Sequence, residues 1–311
     1  MRVALDLRVL ENRATAERGI GRYAAELAAA LAAEGVEVAR TGADVRHTPS
    51  IDRVTIRPRL PYVVTLHDLV PLKHPDRYLR TGLRHRLRYA AVKRATRVIV
   101  PSQAVADDAA ALLGLEHVDV VAEAPAAVFR PVPAPRGLLT RLRLPEHFLL
   151  WVGGLDPPDP RKGIEPLTRR AADGKSPPLV LAGRHDPETK RLAVKGRVLL
   201  TGRVTDEELA ALYSAADALV LPSEEEGFGL TPHEALACGT PVAAYAAPAL
   251  REALDGNPAV RLVPTGDLDA LIAAAGELAG QDAQPSARTW ADVARDTIAV
   301  YERAIDASRQ R

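Results

Sequence analysis

Short runs of apolar residues recur along this chain and alternate with longer stretches in which apolar positions repeat every three or four residues. Short apolar runs between Gly, Pro and charged residues are typical of buried strands, and the longer periodic stretches are typical of amphipathic helices. One such stretch places Tyr23, Leu27 and Leu31 on one helix face. Strands are predicted at residues 3–7, 36–39, 43–47, 62–66, 97–101 and 118–121, and again at 148–153, 179–183, 197–200, 218–222, 241–244 and 260–263.

A proline-rich segment divides this pattern into two halves. Residues 131–137, PVPAPRG, have the composition of a linker. Strands alternate with helices on both sides of it, which predicts a parallel α/β sheet in each half. We therefore predict two Rossmann-like domains at residues 1–134 and 138–288, followed by a last helix that begins near residue 289 and runs to 311.

Composition narrows the class of protein. The chain has 311 residues, of which 47% are hydrophobic, and this is enough for two cores. The formal net charge of +1 argues against a nucleic-acid partner. The chain has a single cysteine, Cys238, which excludes a disulfide within the chain and fits a reducing compartment. We interpret Cys238 as a small apolar residue. Met1-Arg2 leads directly into a strand, and no apolar run reaches the roughly 18 residues of a membrane span. The sequence therefore predicts a cytoplasmic protein without a signal peptide.

The strongest candidate chemistry lies in residues 222–242, PSEEEGFGLTPHEALACGTPV. An apolar strand leads into a glycine turn at residues 227–229, and a helix start follows. A helix N-terminus after a glycine turn presents free N–H groups and a positive dipole end to an anion. Thr231, Pro232 and Glu234 fit the N-cap, first residue and third residue of a helix with a capping box. Glu234 is thus compatible with a capping role, a ligand role, or both.

Glu226 and Glu234 are separated by seven residues, and residues 197–242 around them closely resemble the retaining glycosyltransferases of family 4, which have the GT-B fold. The opening of the chain, with Asp6-x-Arg8 and then Gly19 to Tyr23, is similar to a mannosyltransferase-like branch of that family. The resemblance implies two Rossmann-like domains with parallel sheets that face each other across a cleft. It also implies a last helix that crosses back to the first domain, and sugar transfer with retention at the anomeric carbon.

The resemblance also assigns roles to individual residues. Glu226 would accept hydroxyls of the donor sugar, and Glu234 would accept the ribose hydroxyls. Arg161 and Lys162 would hold the diphosphate. The backbone contacts implied for the donor are at Phe228, Gly229 and Leu230 for the sugar and phosphate, at Gly202, Arg203 and Val204 for the base, and at Gly19 and Gly21 for the phosphates across the cleft.

Departure of a nucleoside diphosphate builds negative charge, which either Mg²⁺ or fixed cations and N–H dipoles can stabilise. The sequence has no Asp-x-Asp pair or histidine cluster placed as an evident metal site, whereas Arg161 and Lys162 follow a strand and the glycine pair at 153–154. We therefore expect no metal and no cofactor, with the nucleotide sugar as a co-substrate.

Two features of the first domain have open interpretations. His67 follows the strand at 62–66, where the family often has a histidine facing the acceptor; the alternative is a loop histidine bonded to local backbone. Residues 76–97 are strongly basic and have the apolar periodicity of a helix, in a region (1–135) whose net charge is +5. Such a helix fits either peripheral contact with the inner face of an anionic membrane or a solvated surface.

The sequence thus predicts a metal-independent retaining hexosyltransferase. The preferred donor is GDP-mannose, with a UDP-sugar as the alternative, and the acceptor is a glycan, a lipid-linked saccharide or a small molecule. Three rival functions stay open: a glycoside hydrolase with Glu226 and Glu234 as its carboxylates, a sugar-nucleotide epimerase, and a sugar-nucleotide-binding protein without turnover.

Overall fold

The computed structural model describes the chain except residues 12–15, 17–18, 79–82, 134–135, 286 and 311, together with the side chains of 83–86 and 136. The described residues divide into two units. The N-unit comprises Met1–Ala124 with Arg288–Arg311, and the C-unit comprises Pro125–Ala287. The first unit thus ends before the limit predicted at residue 134, and the proline-rich segment lies inside the C-unit.

The N-unit is built on a parallel sheet. Its strands are β1 (Arg2–Leu5), β2 (Glu37–Val38), β3 (Val45–Thr48), β4 (Tyr62–Thr65), β5 (Arg97–Val100) and β6 (Val118–Val120). Their order across the sheet is β2-β1-β3-β4-β5-β6. The order therefore reverses between β1 and β3, which is a topological switch point of a doubly wound sheet.

Helices flank this sheet. They are α1 (Gly19–Ala33), α2 (Val70–Lys73), α3 (Pro75–Tyr78), α4 (Leu83–Val92), α5 (Gln103–Leu113) and the last helix of the chain, α12 (Trp290–Arg309). Helix α12 packs Trp290, Val300 and Tyr301 into the same apolar cluster as Tyr23 and Leu27 of α1. The C-terminal helix is therefore part of the N-unit core.

A buried polar network ties α12 to this sheet. His47 Nδ1 lies 2.7 Å from the Tyr301 hydroxyl, and His47 Nε2 lies 2.8 Å from Thr65 Oγ1. The Tyr23 hydroxyl lies 3.1 Å from the same Thr65 oxygen. Burial, with a smaller contribution from His67, lowers the pKa of His47 to about 3, so this imidazole is neutral near pH 7.

The C-unit repeats the plan with β7 (Leu149–Val152), β8 (Leu179–Ala182), β9 (Val198–Gly202), β10 (Ala218–Leu221), β11 (Val242–Tyr245) and β12 (Val260–Val263). The strand order is β12-β11-β10-β7-β8-β9 and all pairings are parallel. The helices are α6 (Arg136–Leu142), α7 (Ile164–Ala172), α8 (Asp206–Ala215), α9 (Leu230–Ala237), α10 (Pro248–Leu254) and α11 (Leu268–Leu278). Apolar clusters include alternate residues of the central strands: Leu150 and Leu219 belong to one, Leu149 and Val220 to the other. The sheet is thus buried on both faces, which explains the unbroken apolar runs in the sequence.

The two parallel α/β sheets confirm the predicted fold class, and each strand lies at its predicted place within a few residues. Gly19 and Gly21 lie in the first turn of helix α1. One local prediction was wrong. The predicted basic helix at 76–97 is instead the short helix α3 and the helix α4, with 79–82 outside the described residues and Arg97 already in β5.

Two arginines of this basic segment form ion pairs within the protein. Arg97 bonds both carboxylate oxygens of Asp119, at 2.7 and 2.6 Å, and Arg88 pairs with Asp52 at 2.5 Å. Leu87 is half exposed. Among the helices in the described part of the chain, none combines the length and apolarity that a membrane crossing needs.

Candidate active site

The loops after β7 and β10 hold the charged residues singled out in the sequence. These two strands are neighbours in the C-unit sheet, and the strand order reverses between them. Ligands of open α/β sheets bind outside the carboxyl ends of the strands at such a switch point. Residues 153–163 follow β7, and residues 222–229 follow β10, so both loops begin where this fold class places its ligands.

Gly163 lets the two loops approach closely. It adopts a left-handed conformation with φ of 60°, and a β-carbon there would lie 2.5 Å from the carbonyl oxygen of Pro222. A backbone hydrogen bond of 2.9 Å from Glu224 N–H to the Arg161 carbonyl joins the loops at the next turn. A side chain at position 163 would therefore push the two loops apart.

The contact brings Lys162 and Glu226 together. Lys162 Nζ donates to Glu226 Oε1 over 2.5 Å, and both side chains are largely buried. Burial opposes ionisation of the carboxyl group, but the charges of Lys162 and Arg161 outweigh it and hold the pKa of Glu226 below its ordinary value. Residues 64 positions apart in the sequence thus form a charged pair at the switch point.

Arg161 has a second acidic partner. Its backbone N–H and its Nε donate to the two carboxylate oxygens of Asp159, at 3.1 and 2.9 Å. Asp159 is also the N-cap of the 3-10 turn at Pro160–Lys162, which carries both cations. Asp159 therefore orients the guanidinium group of Arg161. The sequence analysis did not identify Asp159 as a site residue, although its position two residues before Arg161 was a signal for this contact.

Helix α9 begins at Leu230, and Gly229 is its N-cap. Gly229 has φ of 90°, and no side chain caps this end. The predicted capping box was wrong, because Thr231 and Glu234 lie two residues further into the helix than a capping box requires. Pro232 fits in this first turn because the N–H groups there have no acceptor within the helix.

His233 fixes the turn that precedes α9. Its Nδ1 lies 2.8 Å from the Gly229 carbonyl oxygen, and its ring stacks on Phe228 with a centroid distance of 4.4 Å. This contact holds the backbone of Phe228, Gly229 and Leu230 in place. His233 was not singled out in the sequence.

Glu234 is almost completely buried and accepts a hydrogen bond of 3.0 Å from the Tyr213 hydroxyl of α8. Tyr213 was also not identified in advance, because nothing in the sequence pairs an α8 tyrosine with an α9 carboxylate.

Cys238 is buried next to Glu234 in the fold. Burial, together with the nearby charge of Glu234, raises the pKa of the Cys238 thiol to about 12. The thiol is therefore not a nucleophile near neutral pH.

The residues predicted to meet the nucleotide base end strand β9. Gly202 has φ of 70°, and its carbonyl accepts a 3.2 Å hydrogen bond from the Gly183 N–H that follows β8. Arg203 is exposed and Val204 is partly buried. They too lie at the carboxyl end of the C-unit sheet.

The other predicted site residues lie in the N-unit. Gly21 packs so tightly that a β-carbon would lie 2.3 Å from the Ala16 carbonyl oxygen, whereas the space beside Gly19 is open. His67 Nδ1 lies 3.1 Å from Glu123 Oε1, and His67 Nε2 lies 3.0 Å from the Pro49 carbonyl oxygen. Burial favours the neutral ring, but the Glu123 carboxylate and the Pro49 carbonyl outweigh it, and the pKa of His67 is raised. Both ring nitrogens face acceptor atoms of the protein, so neither is free to serve as a base.

Among the residues that the structure describes, no three His, Cys, Asp or Glu side chains come together as a potential metal site.

Two families match this chain over most of its length. Residues 146–281 match Glycosyl transferases group 1, and residues 40–123 match Glycosyltransferase Family 4. The chain belongs to glycosyltransferase family 4. Family membership and the GT-B fold were thus predicted correctly from the Glu226–Glu234 block and the opening motif.

Individual members of the family are moderately similar. The 2-deoxystreptamine N-acetyl-D-glucosaminyltransferase of Streptomyces fradiae is 32% identical over 78% of this chain and 61% of that protein. The MMP alpha-(1->4)-mannosyltransferase of Mycolicibacterium hassiacum is 39% identical over 37% of this chain and 31% of that protein. The serotype-specific mannosyltransferase WbdA of Escherichia coli is 31% identical over 57% of this chain and 24% of that protein. Each match therefore covers less than two thirds of the relative's own length.

Solved GT-B structures share the fold. Sucrose-phosphate synthase from Thermosynechococcus elongatus is 25% identical with a TM-score of 0.63, over 96% of this chain and 78% of that one. HepE from Anabaena, solved with UDP and glucose, is 20% identical with a TM-score of 0.63, over 94% of this chain and 81% of that one.

Proposed function

We propose that this chain is a retaining glycosyltransferase that moves a hexose from a nucleotide sugar to a hydroxyl group without a metal ion. The observation that carries the proposal is the pairing of Lys162 with Glu226 at the switch point of the C-unit, beside Arg161. A nucleotide-sugar transferase needs cations for the diphosphate and an acceptor for sugar hydroxyls, and these residues supply both within one cluster.

Lys162 and Arg161 stabilise the charge that develops on the departing diphosphate. Binding of the diphosphate draws Lys162 away from Glu226, and the freed carboxylate accepts hydroxyls of the sugar. The N–H groups at Phe228, Gly229 and Leu230 contribute a positive dipole end to the same anion. Once the donor is bound, these groups are held in place and stabilise the transition state without further reorganisation.

Retention follows from displacement on one face of the sugar. The anomeric carbon loses its bond to the diphosphate oxygen and gains a bond to the acceptor oxygen on the same side. The proton of the acceptor hydroxyl passes to the departing phosphate. No carboxylate of the cluster is needed as a covalent nucleophile.

Glu234 accepts the ribose hydroxyls, with the Tyr213 hydroxyl holding its other oxygen. The Gly202 to Val204 backbone contacts the base. GDP-mannose is the preferred donor, supported by similarity to two mannosyltransferases. A UDP-sugar is the alternative, because HepE was solved with UDP. The acceptor is a glycan, a lipid-linked saccharide or a small molecule, and peripheral membrane contact through residues 76–97 stays a prediction.

A glycoside hydrolase fits this geometry less well. Hydrolysis needs two carboxyl groups that flank one bond, with one of them protonated as the acid. Glu226 is instead paired with Lys162 and has a lowered pKa, and Glu234 is buried against Tyr213. These environments suit two acceptors of hydroxyl hydrogen bonds.

A two-stage experiment tests the proposal. Thermal-shift measurements with GDP, UDP, ADP and their hexose conjugates identify the donor, which should raise the melting temperature in proportion to its binding. Incubation with the radiolabelled sugar nucleotide and a panel of saccharide acceptors then measures transfer. Stabilisation by a sugar nucleotide without transfer or donor turnover would favour the binding protein, and stabilisation by none of them would contradict the proposal.

A further inference from the structure

Four arginines line an open hollow of about 640 Å³ in the N-unit. They are Arg8, Arg46, Arg53 and Arg57, and none of them has a role in the donor chemistry described above. Arg8 belongs to the Asp6-x-Arg8 motif of the opening strand, which the proposed function leaves unexplained.

The hollow lies at the switch point of the N-unit sheet. Arg8 follows β1 directly, Arg46 lies in β3, and Arg53 and Arg57 lie in the segment after β3. Strands β1 and β3 are neighbours, and the strand order reverses between them. The arginines therefore collect where a doubly wound sheet places its ligands.

Asp6 organises two of the four arginines. Its carboxylate is buried, caps the 3-10 turn at Leu7–Leu10, and accepts a 2.8 Å hydrogen bond from Arg8 Nε. Arg46 Nη2 lies 3.8 Å from the second carboxylate oxygen. Asp6 thus fixes the positions of two guanidinium groups while neutralising the charge of only one.

The other two arginines have no counter-charge in the described part of the chain, where no carboxylate lies within ion-pairing distance of Arg53 or Arg57. The acid next to Arg53 in sequence, Asp52, pairs instead with Arg88 at 2.5 Å. Ile56, which also lines the hollow, is 61% exposed. The hollow therefore combines an excess of positive charge with an exposed apolar side chain.

We propose that this hollow binds a phosphate or diphosphate group carried by the acceptor. Arginine suits this role, because its planar guanidinium donates two parallel hydrogen bonds to phosphate oxygens. The inference rests on the proposed function, since of the functions considered above only a transferase needs an acceptor. The phosphate belongs either to a water-soluble sugar phosphate or to a lipid-linked saccharide.

Inorganic pyrophosphate is the first probe, measured by titration calorimetry on the full chain. The test variant is Arg53→Gln/Arg57→Gln, and the matched control is Arg40→Gln/Arg59→Gln, which removes the same charge from exposed arginines that do not line the hollow. We expect the test variant to bind pyrophosphate about tenfold more weakly or worse, and the control to bind like wild type. The same comparison in a Lys162→Ala background excludes a contribution from the donor phosphates.

A second arm identifies the source of the phosphate. Vesicles of phosphatidylcholine with or without phosphatidic acid are sedimented with each variant. Binding to phosphatidic acid that the test variant loses indicates a lipid-borne phosphate, and loss of pyrophosphate binding without vesicle binding indicates a soluble one. Equal pyrophosphate binding by test and control variants, or its complete loss in Lys162→Ala alone, overturns the proposal. Affinity for GDP and UDP is measured on the same variants, so that a failure of donor binding is seen separately.

Discussion

Each unit has a switch point where a carboxylate lies among cations, and the two differ in what the carboxylate does. In the C-unit, Glu226 pairs with Lys162 from a different loop. In the N-unit, Asp6 caps the turn that carries Arg8 and holds Arg8 beside it. One acid is therefore available to exchange its partner for a ligand, whereas the other is a fixed part of the framework.

Two buried histidines of the N-unit are also engaged within the protein. His47 is held between Tyr301 and Thr65, and His67 between Glu123 and Pro49. The same sheet plan thus supports a chemical cluster in one unit and a rigid polar framework in the other. Function in this fold depends on the residues at the strand ends and not on the sheet itself.

Loss of Lys162 should produce the largest effect. Lys162→Ala removes a fixed cation whose interaction strengthens as charge develops on the diphosphate, so the rate of sugar transfer should fall by about a hundred- to a thousandfold, or roughly 2.7–4 kcal/mol. Arg161→Ala should show a loss in the same range. Lys175→Ala, at an exposed lysine of the same unit, is the control. Rates within threefold of wild type for both site variants would remove the C-unit cluster from the mechanism.

Substitutions of Glu226 and Glu234 should weaken the binding of different ligands. Glu226→Gln should bind free nucleoside diphosphate normally and bind the sugar nucleotide about tenfold more weakly, because a neutral acceptor makes a weaker hydrogen bond than a carboxylate. Glu234→Gln should lose similar affinity for both ligands, since the ribose is common to them. Calorimetric titration of each variant with both ligands measures this.

The absence of a side-chain cap on α9 sharpens this test. Glu234→Gln cannot act through a capping box, so a change in affinity reports on the ligand or on the Tyr213 contact. Tyr213→Phe is the matched variant that removes the contact alone. If Glu234→Gln binds the diphosphate as tightly as wild type, the ribose contact lies elsewhere.

The sequence predicted the sheets well because their central strands, such as β4, β8, β10 and β11, are fully buried and read as short apolar runs. It predicted Lys162, Glu226 and Glu234 through a family pattern and not through contacts. It could not predict that Gly163 lets Lys162 approach Glu226, because that contact depends on the distance between two loops. The capping box at Thr231 failed for a local reason: Gly229 takes a left-handed conformation and is the N-cap, so the helix starts two residues earlier than predicted.

The pKa values of His47 and His67 should be shifted in opposite directions from the ordinary value. The pKa of His67 is raised above the ordinary 6.5, so its contribution to stability is complete below the pKa of the unfolded chain and is lost as pH rises through the folded value. The pKa of His47 is about 3, so its contribution is complete above about 6.5 and is lost as pH falls toward 3. NMR titration of the two imidazoles measures both values.

Glu123→Gln provides the control for this titration, because it should lower the pKa of His67 by removing its carboxylate partner. A measured pKa of His67 below 6.5 in the unaltered protein would mean that its ring is neutral near pH 7. His67 could then serve as a base, in place of the structural role that we infer for it.

Chelation should have the smallest effect. With Lys162 and Arg161 as fixed cations, we expect sugar transfer to continue at an unchanged rate after dialysis against EDTA. Complete loss of transfer that Mg²⁺ or Mn²⁺ restores would show that the charge on the leaving group is met by a metal ion.

The position of α12 has a consequence for biosynthesis. The helix supplies several residues, among them Trp290, Val300 and Tyr301, to a core whose remaining members lie in the first 124 residues, and the whole C-unit is synthesised between the two parts. The C-unit has all of its own strands when it leaves the ribosome, whereas the N-unit must wait, with an exposed apolar face, for a helix near residue 300. The second unit made is thus the first that can be completed, which reverses the usual order in which domains fold during translation.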